Sequence, residues 1–173
     1  MQIKIIIIAL LIGSSYLIGE HIYKTYTRRH KQLNDLIRVL EILRMDLSFG
    51  LYTLEEIFKR IGDNKEFCFW KFFLQVSEEL HNEQGKTLEM IILENIDVLN
   101  KETYLGNKEI EELKNLILTL GKSDIESQQR MIDLSIENLK KQTYETKDDI
   151  NKKGVLYKKL VTFIGIGICI ILI

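Results

Sequence analysis

The sequence predicts an all-α protein, an antiparallel helical bundle between an N-terminal and a C-terminal transmembrane helix. Apolar residues recur at helical spacing through the middle of the chain, and no stretch shows the sustained alternation of a β-strand. The 173 residues include no proline, so few positions interrupt a helix. Apolar segments suited to a membrane stand at both ends. The predicted domains are residues 1–20, 21–154 and 155–173.

The first apolar segment covers residues 3–19, of which ten are Ile or Leu. As a helix it would extend about 25 Å, slightly less than a hydrocarbon core of about 30 Å. A cleaved signal peptide is the alternative, with Gly13 and Ser15 as small residues near a cleavage site. The basic cluster that follows favours an uncleaved anchor, because Lys and Arg beside a membrane helix tend to remain in the cytoplasm.

The second apolar segment runs from Val155 to the end of the sequence and also has lysines on its inner side. The flanking charges therefore predict a cytoplasmic middle domain whose two ends enter the same membrane. Basic residues beside a membrane can also meet anionic lipid head groups. The membrane-proximal basic residues are Arg28, Arg29, Lys31, Lys152, Lys153, Lys158 and Lys159.

The middle domain contains successive apolar stripes separated by glycines or helix-start signals. Thr53 with Glu56, and Ser123 with Glu126, have the spacing of capping boxes. Gly62 is predicted to end one helix. The stripes comprise Leu33, Leu36, Ile37, Leu40, Leu43 and Leu47; Leu54, Ile57, Phe58 and Ile61; Phe67, Trp70, Phe73, Val76 and Leu80; Leu88, Ile91, Ile92 and Leu99; Ile110, Leu113, Ile117 and Leu120; and Ile125, Ile132, Ile136, Leu139, Thr143 and Ile150. These stripes predict the core, including the ring of Trp70.

Candidate chemistry in this domain is weak. Residues 85–87 read Gly-Lys-Thr, but a phosphate-binding loop needs a glycine where Leu80 stands and a strand before it. The two cysteines cannot form a structural metal site alone, and adjacent acidic residues on a helix point about 100° apart. A formal net charge of −1 gives no nucleic-acid signature. We therefore predict no catalytic residue, cofactor, metal site, nucleic-acid partner or small-molecule substrate.

Two local patterns and the layout of the whole chain carry a family resemblance. One pattern extends from Tyr26 to Leu54, and the other joins residues 118–124 to residues 127–129, which read Ser-Gln-Gln. With the terminal spans and a helical domain of this size, they make the chain similar to the stage III sporulation protein AB family of spore-forming Firmicutes. The family usually has Tyr in place of Phe49 and Pro in place of Thr53. Phe keeps the packing of the ring, and Thr can start a helix by capping.

The resemblance implies a non-catalytic platform or adaptor subunit in the mother-cell membrane around the forespore. Such proteins belong to a secretion-like channel between the two cells during endospore formation. Their cytoplasmic domain is similar to inner-membrane platform proteins of type II secretion, so the implied partners are channel subunits including a cytoplasmic secretion-type ATPase. The candidate contact residues are Asp124, Gln128 and Gln129, because carboxamides donate and accept hydrogen bonds without a charge. The alternative is that both glutamines are polar residues near a helix start.

Two other functions are consistent with the same layout. One is an unrelated membrane-tethered helical adaptor with a regulatory role. The other is an exported helical binding protein, which requires residues 1–15 to be a cleaved signal peptide. A neighbouring gene for a secretion-type ATPase would favour the channel over the regulatory adaptor, and the mass of the mature protein would test export.

Overall fold

A computed structural model describes residues 2–50, 52–82 and 85–172, and the regular structure in these ranges is entirely helical. The all-α prediction is confirmed. A π-helical turn, Ile150–Gly154, joins the last two helices without a break. The helices are α1 (Gln2–Phe49), α2 (Leu54–Asp63), α3 (Trp70–Asn82), α4 (Leu88–Glu102), α5 (Asn107–Thr119), α6 (Ile125–Asp149) and α7 (Val155–Leu172).

The chain forms two compact units, and α1 and α6 contribute residues to both. The central unit is Lys31–Thr143. The terminal unit consists of the residues before and after it, residues 1–30 and 144–173. The division into units reflects contacts within the chain and not the position of a membrane. The predicted membrane limits at residues 20 and 154 therefore stay predictions.

The core of the central unit is built from the predicted stripes. Ile57, Phe58 and Ile61 of α2 are buried, as are the predicted residues Ile91 and Ile92 of α4. The structure adds buried residues that the spacing missed. These are Val39, Phe69, Phe72, Leu105 and Leu116.

Side-chain caps start the helices that follow loops. Thr53 and Glu56 form the predicted capping box at α2. The predicted box at Ser123 and Glu126 is wrong, because α6 begins at Ile125 and Asp124 caps it instead. The Ser127 backbone N–H donates to Asp124 Oδ1 at 2.9 Å, which satisfies one of the free amides of the first turn.

The aromatic segment before α3 packs differently from its predicted stripe. Trp70 is only half-buried, and its ring lies 5.7 Å from the Lys65 ammonium and 5.9 Å from that of Lys71. Phe69 occupies the core in its place. Helical spacing failed here because residues 64–69 form turns and α3 begins only at Trp70.

Cys68, in the same segment, is half-buried, and burial raises the pKa of its thiol to about 12. The thiol is therefore protonated and unreactive at neutral pH.

Gly62 has a different role from the predicted helix end. It lies in the last turn of α2, is buried, and faces the backbone of α3. A Cβ at this position would lie 2.6 Å from Leu74 N and 2.8 Å from Leu74 Cα. The absence of a side chain therefore lets α2 and α3 approach closely.

Candidate functional site

Two helices pack against each other in the terminal unit. Along α1 and α7, Ile8 lies opposite Cys169, and Gly19 lies opposite Lys158. Residue numbers rise on one helix as they fall on the other, so the two helices are antiparallel. These two segments lie within the continuous helical stretches Ile6–Phe49 and Ile125–Ile171. Each stretch contains a part that is long and apolar enough to cross a membrane. We call this pair the terminal hairpin.

Small residues bring the backbones of the terminal hairpin together. A Cβ at Gly165 would overlap the Ser15 side chain, and one at Gly19 would lie 3.0 Å from the backbone oxygen of Lys158. At Gly154, a Cβ would lie 3.4 Å from a ring carbon of Tyr23. Small residues at helix contacts are typical of association in a membrane, where packing rather than hydrophobic burial drives it.

An ion pair joins the same two helices. Lys158 Nζ donates to Glu20 Oε2 at 2.6 Å, and the ammonium lies 5.5 Å from the ring centroids of both Tyr16 and Tyr23. Partly desolvated pairs of this kind need additional contacts to offset the loss of hydration. The two rings supply such contacts through the negative faces of their π systems.

The predicted membrane-proximal basic residues lie in varied surroundings. Lys152 pairs with Asp148 at 2.8 Å, and Lys153 pairs with Asp149 at 2.7 Å. Lys158 is held by Glu20, as described above. The exposed members of the set are Arg28, Lys31, Lys152, Lys153 and Lys159, whereas Arg29 and Lys158 are partly buried.

The predicted contact residues lie at the turn between α5 and α6 in the central unit. Gly121 has φ +76°, which favours glycine, and its N–H donates to Gln128 Oε1 at 3.2 Å. Gln128 Nε2 donates to the Ser123 backbone oxygen at 2.6 Å. The side chain is 7% exposed, so Gln128 fixes the shape of the turn and both of its amide groups are used inside the unit.

Asp124 and Gln129 remain more accessible than Gln128. Asp124 is exposed and Gln129 is half-buried. The Ser127 hydroxyl, which donates to Asp124 Oδ2 at 2.6 Å, and the Ser127 backbone N–H hold the pKa of Asp124 below its ordinary value. Asp124 therefore presents a fixed negative charge at the start of α6, where it also interacts favourably with the helix dipole.

Exposed apolar side chains lie at the start of α6 and beside Gly50 at the end of α1, and the sequence pattern did not place them on the surface. Phe49 is 65% exposed and Tyr52 is 47% exposed. Ile125, expected in the core stripe of α6, is 50% exposed. A Cβ at Gly50 would lie 4.0 Å from Ile125 Cδ1, so the end of α1 lies beside the start of α6. We call Phe49, Tyr52, Asp124 and Ile125 the tip surface.

The burial of Gln128 gives a specific prediction. Replacing Gln128 with Ala should lower the free energy of unfolding by about 1–2 kcal/mol, because Gly121 N–H and the Ser123 carbonyl lose their partners. Gln129→Ala is the matched control and should change it by about 0.5 kcal/mol or less. Chemical denaturation of both variants would measure the difference. Equal, small losses would show that the turn keeps its shape without the Gln128 amide.

The chain is similar to known proteins both in sequence and in fold. The family model described as stage III sporulation protein AB matches residues 4–173. A solved structure of stage III sporulation protein AB is similar in fold, with a TM-score of 0.64 and 21% identity over 71% of this chain and 96% of that one. No curated protein matches significantly. Since the family model spans nearly the whole sequence, this chain belongs to the stage III sporulation protein AB family, whose name implies a role in sporulation.

Proposed function

We propose that this chain is a non-catalytic platform or adaptor subunit of a secretion-like channel between the mother cell and the forespore. The observation that carries the proposal is the terminal hairpin, in which helices from the two chain ends pair through small residues and the Glu20–Lys158 ion pair. A hairpin of this kind would anchor both ends of the central unit in one membrane. Family membership supports the sporulation context.

In this proposal the central unit faces the cytoplasm of the mother cell. The support is the position of the basic residues: Arg28 and Arg29 follow the first apolar segment, and Lys152 and Lys153 precede the second. Lysine and arginine on the inner flank of both membrane helices favour a cytoplasmic location for the residues between them.

The central unit would act by binding, with a cytoplasmic secretion-type ATPase as the proposed partner. The tip surface combines exposed rings of Phe49 and Tyr52 with the charge of Asp124, and the Gln128 hydrogen bonds hold its turn in place. Aromatic side chains on a preformed surface bind partners at low entropic cost. Nucleic acid and small-molecule substrates have no role in this proposal.

The membrane layout predicts the result of a reporter experiment. A reporter enzyme that is active only outside the cytoplasm, inserted at the Gly85 turn between α3 and α4, should be silent. The matched control places the same reporter before Met1, where it should be active because that end is proposed to lie across the membrane. Strong activity at Gly85 would reverse the layout and favour the exported alternative.

The platform role predicts a pure binding activity. The purified chain should bind the partner ATPase and hydrolyse no ATP by itself, and deletion of its gene should leave vegetative growth normal but stop spore formation. Ile125→Ser in the tip surface should weaken ATPase binding by about tenfold, since it removes an exposed apolar contact worth about 1–2 kcal/mol. Affinity is measured by titrating the chain into the labelled ATPase.

Leu134→Ser is the matched control for this binding experiment. Leu134 lies on the same helix and is 58% exposed, but it lies more than two turns from the tip surface. Binding that is lost in the Leu134 variant and kept in the Ile125 variant would move the contact surface to the middle of α6. Normal sporulation in the deletion strain would contradict the platform role itself.

A further inference from the structure

A cavity of about 490 Å³ lies between α1 and α7 in the terminal unit. Residues on both helices line it, including Tyr16 and Tyr23 of α1 and Val155 and Phe163 of α7. Tyr16 and Tyr23 bracket position 20, and the lining of α7 begins at Val155; these are the positions where the proposed membrane segments meet the cytoplasmic region. The cavity therefore lies at the level of lipid head groups if the membrane layout proposed above holds, and the inference rests on that layout.

The lining of the cavity is mostly apolar and aromatic, and it includes two lysines. Tyrosine and lysine are the residues that membrane proteins place at the boundary between hydrocarbon and water. Lys158 and Lys159 both line the cavity. The charges of these two lysines are not equivalent. Glu20 accepts a hydrogen bond from Lys158 at 2.6 Å, and its carboxylate neutralises the charge of Lys158.

Lys159 supplies the uncompensated charge. It is exposed, and in the described part of the chain it has no ion pair, unlike Lys152, Lys153 and Lys158. The cavity therefore carries a positive charge beside a surface made of Phe163 and Val155. An occupant that matches both features has an anionic head and an apolar tail.

We infer that this cavity binds one anionic phospholipid. Its phosphate accepts a hydrogen bond from Lys159 Nζ, and the first part of an acyl chain lies against Phe163 and Tyr16, which are further from the cytoplasm than Lys159 in this layout. The volume falls within the range of about 300–1,000 Å³ that is usual for small-molecule sites. Basic pockets between membrane helices on the cytoplasmic side are known to hold anionic head groups. The lipid would fill the space that the two helices leave beside the Glu20–Lys158 pair.

The test measures lipid retained by the full chain. The chain is reconstituted in nanodiscs containing equal amounts of phosphatidylglycerol and phosphatidylcholine, transferred to detergent, and weighed by native mass spectrometry. We expect one phosphatidylglycerol per chain and no retained phosphatidylcholine. Lys159→Gln should reduce retention at least tenfold, and Phe163→Ala should reduce it severalfold.

Lys152→Gln is the matched control, since it removes the same charge at a lysine outside the cavity that is paired with Asp148. Diffuse attraction to an anionic surface would make the two glutamine variants equal, each losing about fivefold. Equal losses, or equal retention of both lipids by the unaltered chain, would overturn the site. A mass corresponding to two chains without lipid would overturn it in favour of a second protein helix.

Alkaline extraction of cell membranes separates this failure from failure of the proposed function. A chain that stays in the membrane pellet but retains no phosphatidylglycerol would refute the lipid site alone. A chain released by alkali would refute the membrane layout, and the lipid site would fall with it.

Discussion

Replacing Phe73 with Ala should lower the free energy of unfolding of the central unit by about 3–5 kcal/mol. The Phe73 side chain is 1% exposed, and its ring centroid lies 5.6 Å from that of Phe58 and 5.2 Å from that of Phe72. Truncation would remove both ring contacts and leave a cavity where α2 and α3 meet. Urea denaturation of a fragment covering residues 30–154, which we expect to be soluble and mainly helical, would measure the loss.

Trp70→Ala is the matched control for this core prediction. The Trp70 ring is larger, but it is half-buried and lies beside two lysine ammonium groups. We expect a loss of about 1–2 kcal/mol, because less apolar area leaves water in the folded state. A larger loss at Trp70 than at Phe73 would contradict the assignment of the core to Phe69, Phe72 and Phe73.

Replacing Gly62 with Ala should lower the free energy of unfolding by about 3 kcal/mol, at the upper end of the range for overpacking. The added methyl group would meet backbone atoms of Leu74, which cannot rotate away. The sign of the effect is informative, because Ala in place of Gly within a helix normally stabilises by roughly 0.5–1 kcal/mol. The same denaturation experiment on the 30–154 fragment measures it.

The control for Gly62 is Lys59→Ala, an exposed position on the same helix. It tests helix propensity without a new contact and should change stability by about 0.5 kcal/mol or less. A gain in stability for Gly62→Ala would mean that α2 and α3 are further apart than the structure has them.

Helical periodicity was sufficient to predict most of the core. Leu33, Leu36 and Leu40 are buried as predicted, because an apolar stripe on a helix must face the interior of a bundle. The pattern failed at Trp70, because residues 64–69 turn before the helix begins and Phe69 takes the buried position. It also failed at Ile125, the first residue of α6, which is 50% exposed.

The tip surface and the turn within it could be predicted only in part. The sequence pattern singled out the Gln128–Gln129 pair. It gives no indication, however, that the Gln128 side chain folds back to accept a hydrogen bond from Gly121. That contact joins positions seven apart across a turn, and it depends on the left-handed backbone at Gly121. Gly62 was missed for a similar reason, since a close approach of two helices depends on both partners and one sequence stripe describes only its own helix.

The terminal hairpin joins residues that are very distant in sequence, and this has a consequence for assembly. Glu20 and Lys158 lie 138 positions apart. Closing an unstructured loop of that length costs about 4 kcal/mol in chain entropy, which a few helix contacts would have to offset. Because the central unit, Lys31–Thr143, gathers most of that loop into one compact body, its folding lowers this entropic cost. A variant that unfolds the central unit, such as Phe73→Ala in a destabilised background, is therefore expected to separate the two apolar helices as well, although neither is altered.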